Sequence, residues 1–239
     1  MLASVALIGC SYLFGSLPST VALARISGLD LPQEGDLHAV LWRKVSKIRG
    51  SLAIAIDFYK GIIPILIAFG FNLTPIVVAS SGVAAVAGQM WPVFCNFDGE
   101  KGNSIGVAVI ITLALTYRAW PILFFLIPLV VGAAMRFFFS LFSSDEPLSE
   151  RLKFRESSDP IVLGFPVSMI LGFAVAPLAS WCSGQPLGIT LSLLALFVVI
   201  VVRRLTAGLK ADLEMASSVI KILINRFLFD RSHLGGDKN

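Results

Sequence analysis

Long apolar runs alternate with short polar segments along the whole chain, and the length of the runs is the thickness of a bilayer. They cover residues 2–24, 52–72, 75–95, 104–117, 119–137, 161–181 and 187–202. At 1.5 Å per residue, about 20 apolar residues carry an α-helix across the hydrocarbon. The fourth run is short and its join to the fifth is tight. The pattern predicts an all-α, polytopic membrane helix bundle of about seven transmembrane helices over residues 1–210, followed by a tail at 211–239. From Ala211 to Phe229 apolar clusters alternate with Lys221 and Arg226, which predicts an amphipathic helix lying on the membrane face. Residues 25–50 and 140–160 are the two sizeable polar loops.

Composition agrees: 56% of the 239 residues are hydrophobic and 14% charged, against about 25% charged in a soluble domain. The mean hydropathy is +0.85. All lysines and arginines except Lys60, inside the second run, and Arg118 fall at or between run ends that alternation puts on one side. The positive-inside rule then places the N-terminus outside and the tail in the cytoplasm of a multi-pass cell-membrane protein. Residues 1–24 lack a basic n-region and are interrupted by Gly15, Ser16 and Pro18, which disfavours a cleaved leader. The net charge of +4 fits topology and contact with anionic lipid; no basic-aromatic pattern points to nucleic acid. Cys10, Cys95 and Cys182 form no metal-spaced pair and read as packing residues.

Candidate chemistry concentrates in Gly88–Gly106, a glycine-studded loop wedged between two apolar runs. Gly99, Gly102 and Gly106 around Lys101 offer bare backbone N–H groups beside a fixed positive charge, a combination suited to phosphate. A plain topogenic lysine needs no such glycine cluster. Asp98 and Glu100 would repel an anion unless paired, and pairing with the basic first loop is the cheapest way to neutralise them. Gly102-Asn103-Ser104-Ile105-Gly106 also spells G-x-S-x-G, but it opens a membrane helix rather than a strand–helix elbow, so Ser104 reads as a helix N-cap or a phosphate donor. In the second run, Asp57 and Lys60 share a helix face, and ionisable groups at that depth face a cavity or each other. By itself the spacing favours a structural pair with Lys60 snorkelling. Arg203-Arg204-Leu205 with Gly208 would cap the loop from the last run, or serve only as a stop-transfer pair.

Together these segments resemble the bacterial acyl-phosphate:glycerol-3-phosphate acyltransferase family, integral membrane enzymes of phospholipid synthesis. Gly15-Ser16-Leu17-Pro18 resembles the first-helix G-S-(I/L)-P, and Gly28-Leu29-Asp30 the G-x-D opening the first loop. Asp57-Phe58-Tyr59-Lys60-Gly61 matches D-x-x-K-G. Gly88, Pro92, Phe94, Phe97, Gly99, Lys101 and Gly102 match G-H-x-(F/W)-P-x-F-x-x-F-K-G-G-K-G-V, and Arg204-Leu205 with Gly208 resembles R-L-x-x-G. The departures are equally marked. Gln89 stands for histidine, Asp98 for lysine and Glu100 for glycine. The first loop lacks the G-S-G-N pattern, leaving Arg43 to stand for its arginine. Val201 and Lys210 replace the Asn and Glu of the last motif.

The resemblance implies transfer of a fatty acyl group from acyl phosphate to the 1-hydroxyl of glycerol 3-phosphate, giving lysophosphatidic acid, with membrane lipid as surroundings and with no metal or dissociable cofactor. It assigns Lys101, Lys60, Arg43 and Arg204 as phosphate clamps, Gly99 and Gly102 as backbone donors and Ser104 as a hydroxyl donor, with Asp57, Asp98 and Glu100 supporting them; it leaves no general base assigned. The lost motif residues point to the alternative, an inactive relative binding a phospholipid, an anionic metabolite or another membrane protein.

Overall fold

The computed structural model describes residues 2–28, 41–142, 160–209, 213 and 218–229, and among these the regular structure is entirely helical. The helices are α1 (Leu2–Gly15), α2 (Ser19–Ile26), α3 (Lys47–Gly70), α4 (Pro75–Met90), α5 (Asn103–Thr116), α6 (Leu126–Phe142), α7 (Pro160–Cys182), α8 (Leu187–Thr206) and α9 (Val219–Phe229). A π-helical turn covers Leu41–Val45, and 3-10 turns cover Val93–Cys95 and Trp120–Phe125.

Four segments are long and apolar enough to cross a membrane: Leu2–Ile26, Lys47–Gly70, Pro75–Cys95 and Leu187–Thr206. Asn103–Thr116, Trp120–Met135 and Pro166–Cys182 are shorter apolar helices. The first run is not the single rod predicted. It breaks between α1 and α2 at Ser16-Leu17-Pro18, because Pro18 has no N–H to extend the helix and Leu17 N turns back to the Phe14 carbonyl. The fifth run likewise starts as a 3-10 turn at Trp120–Phe125, with Pro121 at its head, before α6 begins.

Helix α4 is the hub. It packs against α1, α3, α5 and α8, while α5 also packs on α3. Lipid tails are as apolar as leucine, so contact between such helices depends on close packing of small residues. Gly15 of α1 lies on the backbone of Ala85, and Gly88 of α4 lies on the backbone of Tyr12 and Ser16, so a methyl group at either would collide with main chain. The buried core behind them joins Ile65, Val86, Met90, Ile105, Val109, Phe173, Leu196 and Ile200. Deeper polar links, Ser180 to Thr190 at 2.8 Å and Ser80 to Ser192 at 3.4 Å, tie α8 to α7 and α4.

The tail helix α9 rests on α7 and α8. It buries Ile222, Asn225 and Arg226 and exposes Val219, Ile220, Ile224 and Phe227. The apolar face points away from the bundle, the arrangement expected of a helix that meets lipid with its outer side.

Candidate functional site

One end of the bundle gathers the chemistry. There the α1–α2 break, the last turn of α4, the first turn of α5 and the last turn of α8 surround the loop 91–102. The loop is pinned by its backbone. The Tyr12 hydroxyl donates to the Trp91 carbonyl at 2.6 Å, and Glu100 N donates to the Gln89 carbonyl at 3.2 Å. Gly99 fits because a Cβ would strike that same Gln89 carbonyl and the Pro92 ring. Asn96 and Phe97 both take positive φ, 52° and 60°, which lets Phe97 N return to the Pro92 carbonyl at 3.0 Å. A left-handed phenylalanine is costly and persists only where its surroundings fix it.

Gly102, at φ 69°, is the N-cap of α5, and a Cβ there would lie 2.7 Å from the Met90 terminal methyl. Helix α5 therefore starts at Asn103. Ser104 is its second residue, not the N-cap expected from the sequence. Its hydroxyl sits half-buried in the first turn, where unsatisfied N–H groups and the helix dipole favour an anion.

Lys101 and Arg204 come together. With Asn103 and Ile200 they line a small cleft at the start of α5. Lys101 is exposed, whereas Arg204 is buried, and its Nη1 donates to the carbonyls of Pro166 and Phe227, both at 3.0 Å. Two fixed acceptors set the plane of the guanidinium.

Lys60 does not line this cleft. It is buried one layer away, its Nζ donating to the Leu17 carbonyl at 2.6 Å and lying 3.7 Å from Asp57 Oδ1. Snorkelling is thus replaced by an internal bond to the carbonyl at the helix break. Asp57 is fully buried, and its Oδ2 accepts from Gln89 Nε2 at 2.7 Å. The same amide nitrogen donates to Glu100 Oε2 at 3.2 Å. Glu100 precedes Lys101, so this amide joins the buried Asp57–Lys60 pair to the loop that carries the cleft.

Asp98 finds its cation on α8 rather than on the first loop expected from the sequence. Asp98 accepts from Arg203 Nη2 at 2.9 Å, and the same nitrogen donates to the Gly99 carbonyl. Asp98 is thus held by Arg203, outside the resembling pattern, while Glu100 accepts from Gln89, itself a departure within it. Residues 29–40 lie outside the described residues, as does the side chain of Arg43 in the turn Leu41–Val45.

Sequence reasoning missed the roles of Gln89, Arg203, Tyr12, Asn103 and the Leu17 carbonyl. Gln89 carried a signal, a lone amide in the last turn of an apolar helix. So did Arg203, since neighbouring helical residues point about 100° apart and cannot do the same job as one another. The Leu17 carbonyl carried none.

A model of the family described as glycerol-3-phosphate acyltransferase matches residues 5–211. The glycerol-3-phosphate acyltransferase of Roseiflexus sp. (strain RS-1) is 35% identical over 116 residues, 47% of this chain and 57% of that protein. That of Haemophilus ducreyi is 33% identical over 129 residues, 50% of this chain and 65% of that protein. The chain spans less than two thirds of the length of each. Two crystal structures of PlsY (YgiH), described as an integral membrane glycerol 3-phosphate acyltransferase, share the fold. The lysophosphatidic acid form has TM-score 0.61 at 22% identity, covering 89% of this chain and 93% of that one. The glycerol 3-phosphate form has TM-score 0.60 at 24% identity, covering 98% and 96%.

Proposed function

The chain belongs to the glycerol-3-phosphate acyltransferase family, and from that premise we propose that it transfers a fatty acyl group from acyl phosphate to glycerol 3-phosphate, yielding lysophosphatidic acid and inorganic phosphate. The observation that carries this reading is the cleft itself. Lys101, near the middle of the matched region, and Arg204, near its end, line one opening at the N-terminus of α5.

Acyl phosphate is already activated, so the site's task is to hold two anionic groups and align a hydroxyl with a carbonyl carbon. Lys101 and Arg204 supply positive charge, and Asn103, Ser104 and the first N–H groups of α5 supply neutral donors. The glycerol 3-phosphate 1-hydroxyl attacks the acyl carbon, the C–O bond to phosphate breaks, and the hydroxyl proton leaves with the phosphate released. Lys60 and Asp57 hold the loop from within rather than touching substrate. Gly99 acts by close backbone packing, and Gly102 by turning the chain into α5. Arg43 stands as a further phosphate ligand by resemblance.

The same reading takes the chain as a multi-pass protein of seven spans, over residues 1–210, with its N-terminus outside and the cleft and tail on the cytoplasmic side. The four long apolar helices, the three shorter ones and the one-sided placement of lysine and arginine along the sequence support it. Acyl phosphate reaches the cleft from the lipid side and glycerol 3-phosphate from the water.

The deciding assay supplies palmitoyl phosphate and glycerol 3-phosphate to purified protein in lipid cubic phase, with Lys101→Ala beside it. Lysophosphatidate should form with the wild type and fall at least about a hundredfold with the variant, the scale for losing one preorganised charge contact. A folded, monodisperse wild type that forms no product would overturn the reading in favour of a binding relative.

A further inference from the structure

Helix α9 lies beyond the residues that match the family, 5–211, yet it reaches the cleft. Its last turn provides the Phe227 carbonyl, one of the two acceptors that hold Arg204 Nη1. The helix is itself anchored where that contact requires it. Arg226 is buried and its Nη1 donates to the Ala207 carbonyl, at the end of α8 and three residues after Arg204. Ile222, 3% exposed, and Asn225, 7% exposed, complete the docked face.

We infer that α9 is a positioning element of the site: docked through Arg226, it presents a helix C-terminal carbonyl that fixes the Arg204 guanidinium facing Lys101 and Asn103. Carbonyls at a helix C-terminus lack intrahelical partners and carry the negative end of the dipole, so they suit a guanidinium. The Phe227 carbonyl adds a second acceptor to that of Pro166 on the same nitrogen, which narrows the plane the guanidinium can take. The outer face of α9, with Ile220, Ile224 and Phe227, is the part that meets lipid, so the tail ties the orientation of a phosphate ligand to the membrane surface. That Arg204 binds phosphate rests on the proposed acyltransferase reading; that α9 holds Arg204 does not.

The test removes the tail after residue 217, with Arg226→Ala and Arg226→Lys as finer variants. Glycerol 3-phosphate binding is measured by calorimetry in nanodiscs, and the rate of phenylglyoxal modification of Arg204 by peptide mass spectrometry. The expected result is a Kd and KM for glycerol 3-phosphate raised about tenfold, the scale of one charge-assisted hydrogen bond. kcat should stay within about twofold, and the thermal midpoint should fall by only a few degrees with the loss of the Ile222, Asn225 and Arg226 contacts. Arg204 should be modified faster, and Arg226→Lys should recover part of what Arg226→Ala loses. If the truncated chain does not fold, the Ala and Lys pair decides by the same readouts. A folded truncation with wild-type Kd and wild-type Arg204 modification overturns the inference. A wild type that binds no glycerol 3-phosphate counts against the acyltransferase reading, and the Arg204 modification rate then decides the role of α9 by itself.

Discussion

Gln89 is the residue through which the buried and the exposed halves of the site communicate. One amide nitrogen serves Asp57 at 2.7 Å and Glu100 at 3.2 Å. Gln89→Leu therefore removes that donor from the buried Asp57 and the half-buried Glu100. It should lower stability by about 1–3 kcal/mol, read as a drop in thermal midpoint in detergent, and Gln89→His should lose less because the ring keeps a donor. The two acidic pairs should differ in weight. Asp98 is largely exposed, so Asp98→Ala should cost under about 1 kcal/mol despite the Arg203 contact. Asp57→Ala strands the buried Lys60 ammonium and should cost about 3–5 kcal/mol. Equal costs for the two would sink the distinction between an exposed and a buried pair. At this scale the sequence was legible wherever a charge or a glycine advertised itself, as at Lys101, Gly99, Gly102 and Asp57. It was silent on partners far apart in the chain, though it paired Asp57 with Lys60. Asp98 looked like a problem for the first loop, because nothing in the spacing says that Arg203, 105 residues away, will face it.

Helices were legible by period and length, and their interruptions less so. Apolar runs report burial in lipid, not continuity, so the first run read as one span although Pro18 splits it into α1 and α2. The break matters because it turns the Leu17 carbonyl into the acceptor for Lys60. Seating of α1 on α4 depends on close approach of main chains. Gly88→Val places side-chain atoms where the Tyr12 carbonyl lies and should separate the two helices, costing several times the ~1 kcal/mol of an average substitution. Its signature would be loss of the Tyr12–Trp91 bond and a loop newly open to protease. Gly102→Ala is a milder probe, since a φ of 69° costs an L-residue about 1–2 kcal/mol and Met90 can yield. That variant should keep the fold and lose activity through a displaced first turn of α5. A Gly102→Ala enzyme with unaltered kcat/KM would show that the turn does not position the cleft.

For the whole molecule, orientation has a test built into the native cysteines. Cys182 is exposed at the end of α7, and Cys95 is half-buried in the loop of the charged end. In the proposed topology a membrane-impermeant maleimide added to intact cells labels Cys182, and labels Cys95 only after permeabilisation; the reverse pattern would invert the protein. Hydropathy and charge were enough to anticipate a helical membrane bundle, because lipid imposes both. They could not anticipate which helix is the hub, since α4 is no more apolar than its neighbours and owes its place to Gly82, Gly88 and the contacts these allow. The bond between Arg203 and Asp98 also sets a schedule for synthesis. The loop with Lys101 leaves the ribosome while α8 is still unmade, and at about 5–20 residues per second it waits several seconds for both arginines. During that interval the nascent chain has a lysine and a glycine turn but no opposing guanidinium. On the proposed acyltransferase reading, a partly made chain lacks half of its phosphate clamp, and acyl phosphate is not consumed by products of interrupted translation.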